Sequence, residues 1–155
     1  MILDYLTRAW KLISLAVLWF MSATTLAGIL FIAHAVCVGP HRAGDDDWAY
    51  AFVMIAGGLW LLVAIGRISW TMAALRDGLA TYRDIVKLIG FRFLAGCMVC
   101  FGAAAGALGC RWLDSAPSAA ALQGWFIAGA VAGFGLAGMF ANIHDWRVRE
   151  QLEKR

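Results

Sequence analysis

Residues 93–110 read FLAGCMVCFGAAAGALGC, an apolar run that combines a pair of cysteines with a ladder of glycines. No charged residue interrupts it. A backbone in hydrocarbon has no water to bond to and must satisfy itself as a helix or a closed barrel, and a continuous apolar run favours the helix over the alternating pattern of a barrel strand. The stretch therefore predicts a membrane-spanning helix, which we place at about residues 88–112.

The rest of the chain has the same character. Of its 155 residues, 63% are hydrophobic and only 15% are charged, and the mean hydropathy is +0.75, which excludes a soluble domain of this size. The sequence predicts an all-α integral membrane protein that forms a single four-helix transmembrane domain over residues 1–155. The predicted spans are about residues 12–37, 48–66, 88–112 and 118–143.

The segments between the spans carry most of the polar residues. Residues 1–11 have charges at helical spacing and predict a short helix on the membrane surface. In the first connection, an acidic run ends where the second span begins, which predicts that Asp46 or Asp47 caps that helix. Residues 67–92 intersperse basic and apolar side chains. They predict an interfacial amphipathic connector between the second and third helices, broken near Gly78.

Only a short turn, residues 114–117, separates the third span from the fourth. We expect Asp114 or Ser115 to cap the fourth helix, with Pro117 in its first turn. A turn of this length forces the two spans into an antiparallel hairpin, so they must pack against each other.

Basic residues are distributed unevenly around the predicted spans. Eleven of the 13 lysines and arginines lie in the N-terminal segment, the middle connector and the C-terminal tail, which all fall on one side. By the positive-inside rule, both termini are predicted to be cytoplasmic in a multi-pass protein of the plasma (inner) membrane. The net charge of +3 is small, so membrane lipid is an expected partner and nucleic acid is not. The basic residues predicted to face lipid or a partner protein are Arg76, Arg83, Lys87, Arg147 and Arg149.

The third and fourth spans carry faces of small residues. In a membrane, helices associate by close packing, and small residues four apart let two backbones approach each other. The fourth span has two such faces, one with Gly129 and Gly133 and the other with Gly124 and Gly135. One face serves the hairpin, which leaves the other for the first two spans or for another subunit. The predicted packing glycines are Gly102, Gly106 and Gly109 in the third span and Gly124, Gly129, Gly133 and Gly135 in the fourth.

Cys97 and Cys100 lie on the side of the third helix opposite its glycines. They have the CxxC spacing of thiol redox sites and soft-metal sites. They lie in the middle of a helix among apolar residues, where a cysteine is also an ordinary small hydrophobic side chain. Both interpretations, a metal or redox site and simple packing, stay open. Cys37 and Cys110 fall at the outer ends of their spans and are either a disulfide or free buried thiols.

Three histidines are the remaining candidates for chemistry. His34 lies in the outer part of the first span and His144 at the inner end of the fourth, so they cannot share one haem or metal ion. We expect His34 to form a hydrogen bond between helices, with a haem shared between subunits as the alternative. His41 lies near the acidic run 45–47, in either a weak external cation site or a solvated loop that caps the next helix.

The motifs that are missing also bear on function. No Asp, Glu or Lys lies deep in a predicted span, and the chain has no phosphate-binding glycine loop, nucleophile elbow or HExxH helix. These absences disfavour an ion-coupled transporter and an enzyme, and no cofactor is predicted. The small-residue faces instead favour a non-enzymatic membrane subunit that acts through helix packing, as a homo-oligomer or as an accessory component of a larger secretion, transport or defence complex. The alternatives are a thiophilic metal-ion carrier or redox relay that uses Cys97 and Cys100, and a multimeric channel.

Overall fold

The computed structural model describes the backbone of residues 2–153 and the side chains of residues 5–142. It is all-helical, as the sequence predicts. The helices are α1 (Ile2–Cys37), α2 (Trp48–Arg76), α3 (Tyr82–Leu113) and α4 (Ala119–Glu153). Each of the four is long and apolar enough to cross a membrane, which confirms the predicted all-helical fold with four candidate spans and suggests a multi-pass membrane protein.

The helices extend beyond the predicted spans. The expected separate helix over residues 1–11 is wrong, because α1 runs without a break from Ile2 to Cys37. Backbone hydrogen bonding does not stop where an apolar run stops, and Arg8 and Lys11 are good helix formers. The predicted connector, residues 67–92, forms the end of α2 and the start of α3, and only the five residues from Asp77 to Thr81 separate these two helices, in agreement with the predicted break near Gly78.

The helix ends have identifiable caps. Asp47 is the N-cap of α2, and its side chain accepts a hydrogen bond from the Tyr50 N–H at 2.9 Å, as predicted. Thr81 and Asp84 form a capping box at the start of α3. The expected cap of α4 by Asp114 or Ser115 is wrong, because Ser118 Oγ accepts from the Ala121 N–H at 3.2 Å and the helix begins after Pro117.

Two helical hairpins form a four-helix bundle. The most extensive contact joins α3 to α4, followed by α1 with α2 and α1 with α3, whereas the contact between α2 and α4 is the least extensive of these four. The helices therefore stand at the corners of a square in the order α1, α2, α4, α3. We call the end with residues 38–47 and 114–118 the loop end, and the end with residues 77–81 the connector end.

Two clusters of buried side chains hold the bundle together. The cluster nearer the loop end is centred on Leu30, Ala103 and Phe126, each fully buried, and brings α1, α3 and α4 together with the start of α2. The cluster nearer the connector end is centred on Leu15, Trp19 and Ile85. The buried residues of α3 are mostly small, which allows its neighbours to approach closely.

Candidate functional site

The contact between α3 and α4 is made backbone to backbone through four glycines. Gly102 and Gly106 of α3 face Gly129 and Gly133 of α4. A Cβ atom built on any one of them would overlap a main-chain carbonyl oxygen of the opposite helix, so only glycine fits. The structure thus assigns the Gly129 and Gly133 face of α4 to the hairpin, a choice that the sequence left open.

The other three predicted packing glycines lie elsewhere. A Cβ atom on Gly109, Gly124 or Gly135 would meet no atom within 4 Å. Gly124 and Gly135 are exposed and share one side of α4 with the exposed Ala128. We call this side, defined by Gly124, Ala128 and Gly135, the free face of α4, because no other described residue of the chain packs on the glycines there.

A long apolar groove follows the glycine contact on its outward side. It has a volume of about 920 Å³, and its floor includes the four contact glycines. Its walls include Phe101 and Phe140, which are 77% and 57% exposed. The groove is a consequence of packing two helices through glycines, because large side chains can stand only to either side of the contact.

All four cysteines are free thiols in the structure. Cys100 is buried, and its Sγ donates to the Leu26 carbonyl oxygen at 3.7 Å, whereas Cys97 is half-buried and lines the groove. Cys37 and Cys110 are both buried near the loop end and are not joined. Among the residues with described side chains, no three His, Cys, Asp or Glu groups are placed to hold a metal ion.

A polar cluster at the loop end surrounds one carboxylate. The Nε2 atom of His34, whose side chain is 1% exposed, lies 3.1 Å from Asp47 Oδ2. His41 stacks on Tyr50 with 4.2 Å between ring centroids, and its Nδ1 lies 3.8 Å from the same Asp47 oxygen. Phe126 of α4 contacts the His34 ring edge to face. The structure thus gives His34 an interhelical role of the kind the sequence suggests, with a partner that the sequence did not identify.

A second link closes the loop end. The Trp48 N–H donates to Gln123 Oε1 at 3.1 Å, and Gln123 Nε2 donates to the Asp46 carbonyl oxygen at 3.4 Å. The first loop is therefore fastened to α4 as well as to α1. An amide side chain near the start of an apolar helix is the only sequence signal for this contact, and it does not identify a partner.

A cavity of about 330 Å³ lies between all four helices, toward the connector end. Arg67 lies nine residues before the end of α2 and Arg92 ten residues after the start of α3, so at about 1.5 Å per residue both Cα atoms are roughly 14 to 15 Å from the connector. Both arginines line the cavity, and Arg67 also lies over the Trp70 ring at 5.8 Å. The aromatic lining residues are Trp19, Trp60, Phe91, Phe93 and Phe134.

The predicted lipid-facing or partner-facing basic residues lie apart from this cavity. Arg76 is 85% exposed and its Nε donates to Asp77 Oδ1 at 3.2 Å, and Arg83 and Lys87 are exposed in the first two turns of α3. Arg147 and Arg149 lie outside the residues whose side chains are described. His144 does as well.

Comparison with known proteins gives no further guidance. No protein-family model, no curated protein sequence and no solved structure matches this chain. Its function must therefore be argued from the geometry of its own residues.

Proposed function

We propose that this chain is a non-enzymatic membrane subunit that acts through helix packing and self-associates through the free face of α4. One observation carries this proposal. The small residues of α4 fall into two sets, of which Gly129 and Gly133 are used within the chain, while Gly124 and Gly135 face outward with no atom within 4 Å of a Cβ position.

A helix position that faces lipid and one that faces another helix favour different residues. Lipid tails are as apolar as leucine, so helices in a bilayer gain from close packing and not from hydrophobic burial. A glycine that faces only lipid forgoes side-chain contacts and lowers helix propensity by about 1 kcal/mol relative to alanine. Against a second helix the same glycine permits the backbone approach that Gly129 makes with Gly102 inside this chain.

A polar side chain continues the free face. Asn142 lies seven residues after Gly135, which places it on the same side of α4, and it is exposed. Its amide has no hydrogen-bond partner among the residues whose side chains are described. Asparagine side chains that face each other across a helix pair contribute about 1 kcal/mol in a membrane.

The favoured assembly is a symmetric dimer. The same face of α4 is presented by both copies, so a two-fold axis along the membrane normal pairs Gly124, Ala128 and Gly135 with their counterparts. The α3–α4 groove remains open to lipid in such a dimer, because its floor lies on the opposite side of α4. An accessory role in a larger complex would use the same dimer or its exposed surfaces.

The size of the protein in a native-like membrane tests this proposal. Light scattering of the full chain in nanodiscs should give a dimer, and Gly135→Leu should shift it to monomer because the leucine holds the two helices apart. Gly58→Leu is the matched control, since Gly58 is exposed on α2 and its Cβ position also meets no atom within 4 Å. A wild-type monomer, or a Gly135→Leu protein that remains dimeric, would contradict the proposal.

A further inference from the structure

The cavity at the connector end combines two features that rarely occur together, an apolar aromatic wall and two guanidinium groups. Within residues 5–142, no carboxylate lies within ion-pair distance of Arg67 or Arg92. We propose that this cavity binds an anionic phospholipid, with one acyl chain between the helices and the phosphate held by Arg67 and Arg92.

The two arginines indicate an anionic headgroup. A guanidinium is a cation, and a cation beside an apolar cavity is costly unless an anion or water satisfies it. The Arg67 contact with the Trp70 ring satisfies one face of the guanidinium and leaves its N–H groups available. A phosphate offers several acceptor oxygens, and a guanidinium binds two of them at once. A zwitterionic lipid also carries a phosphate, but the cationic group of its own headgroup offsets that charge.

The wall identifies the other half of the ligand. Apart from the two arginines and Ser22, the residues that line the cavity are apolar, and the Ser22 hydroxyl donates to the Trp19 carbonyl oxygen at 2.8 Å. The Trp19 indole N–H is bonded to Thr71 Oγ1, so apart from the two guanidinium groups the Trp60 indole N–H is the one other unbonded side-chain donor among the lining residues, too few groups to bind the hydroxyls of a sugar or the edge of a base. A volume of about 330 Å³ lies at the low end of the roughly 300 to 1,000 Å³ of small-ligand sites, so it holds one alkyl chain and excludes a whole two-chain lipid.

The route into the cavity runs from the bilayer. Val63 of α2 and Phe134 of α4 both line the cavity, although they are 55% and 71% exposed. The cavity therefore reaches the lipid-facing surface at the seam between α2 and α4, which is the least extensive of the four main helix contacts. A lipid that stays in its leaflet can insert one chain through this seam while its other chain remains outside.

Native mass spectrometry of the full chain provides the test. The protein is purified in nonionic detergent and supplied with phosphatidylglycerol, phosphatidylcholine or a long-chain fatty acid, and the bound fraction is measured for each. The wild type should retain phosphatidylglycerol in preference to phosphatidylcholine. Replacing both arginines by Arg67→Gln and Arg92→Gln should reduce that preference by about tenfold, the loss expected from removing charge-assisted hydrogen bonds.

Two control pairs make the result interpretable. Arg42→Gln with Arg111→Gln removes the same charge from two exposed arginines at the loop end, outside the cavity, and should leave the preference unchanged. Gly138→Leu places a side chain in the cavity from a position where a Cβ meets no atom, and it should lower binding of every lipid, whereas Gly58→Leu should not.

Each remaining outcome decides against the proposal. Equal losses in the two arginine pairs would show that general surface charge attracts the lipid. Full lipid binding by Gly138→Leu would show that the acyl chain does not occupy the cavity. This variant also tests the proposal if the protein with both Arg67 and Arg92 replaced does not fold. Tighter binding of the fatty acid than of phosphatidylglycerol would show that the ligand is a free fatty acid and not a phospholipid.

Discussion

His34 and Asp47 meet across the first loop, where the imidazole Nε2 lies 3.2 Å from Asp47 Oδ1 and 3.1 Å from Oδ2. The same carboxylate accepts from the Tyr50 N–H, so it begins α2 while it satisfies a buried histidine of α1. One side chain therefore fixes the end of one helix relative to the start of the next, which makes the loop end a defined structure and not only a solvated connection.

The first prediction concerns this double role. Replacing Asp47 by alanine removes an N-cap, worth about 1 kcal/mol, and leaves a buried imidazole without its partner, which costs about 1 to 3 kcal/mol more. We expect the free energy of unfolding in mixed micelles to fall by about 2 to 4 kcal/mol. The exposed Asp45 is the control, and its alanine variant should match the wild type. Equal stability of the two variants would show that neither the N-cap nor the His34 contact contributes.

The second prediction concerns the glycine contact between α3 and α4. Gly102→Ala places a methyl group against the Gly129 carbonyl oxygen, so the helices must separate, and we expect a loss of about 1 to 3 kcal/mol. Gly109 lies on the same helix at a position where a Cβ would meet no atom. Because alanine has the higher helix propensity, Gly109→Ala should leave the free energy of unfolding unchanged or raise it by up to about 1 kcal/mol. Thermal unfolding followed by circular dichroism compares the two, and a Gly102→Ala protein as stable as Gly109→Ala would contradict the contact.

The third prediction concerns a buried hydrogen bond between α1 and α2. The Trp19 Nε1–H donates to Thr71 Oγ1 at 3.1 Å, and both residues are buried. Interhelical hydrogen bonds in membrane proteins contribute about 0.6 kcal/mol on average and up to about 1.7. A double-mutant cycle with Trp19→Phe and Thr71→Val should give a coupling energy in this range, measured by unfolding in micelles. Strictly additive single effects would mean that the two side chains do not interact in the membrane.

The fourth prediction concerns orientation. The distribution of basic residues predicts that both termini are cytoplasmic. A C-terminal alkaline phosphatase, which is active only outside the cytoplasm, should therefore stay silent, and a C-terminal fluorescent protein that matures in the cytoplasm should be bright. A phosphatase fused within residues 40–44 of the first loop provides the positive control and should be active. The opposite pattern would reverse the predicted topology.

Much of the fold follows from the composition of the chain and from its helix-capping residues. Long apolar runs predict four helices because a lipid-exposed backbone has no alternative, and the acidic run before Trp48 predicts the cap that Asp47 provides. The start of α1 is harder to predict, because its backbone hydrogen bonding continues beyond the apolar run into the residues before Lys11. No capping pattern at residues 8–12 separates these residues from the span.

The candidate sites can be predicted only in part from the sequence, for a different physical reason. Helical periodicity places Gly129 and Gly133 on one face and Gly124 and Gly135 on another, but it cannot say which face meets α3. That choice depends on how the whole bundle packs. The cavity between Arg67 and Arg92 is a property of four helices at once, and in the sequence each arginine predicts only a side chain that extends toward the membrane surface.

The short connector has a consequence for how the protein is made. Although only Asp77–Thr81 separate α2 from α3, with Gly78 there at a φ of +69°, the most extensive contacts join α1 to α2 and α3 to α4, so the chain consists of two hairpins of neighbouring helices. A cut at the connector leaves every helix intact, so two separately translated halves each contain one complete hairpin. We expect such halves to insert independently and to reassemble through the contact between α1 and α3.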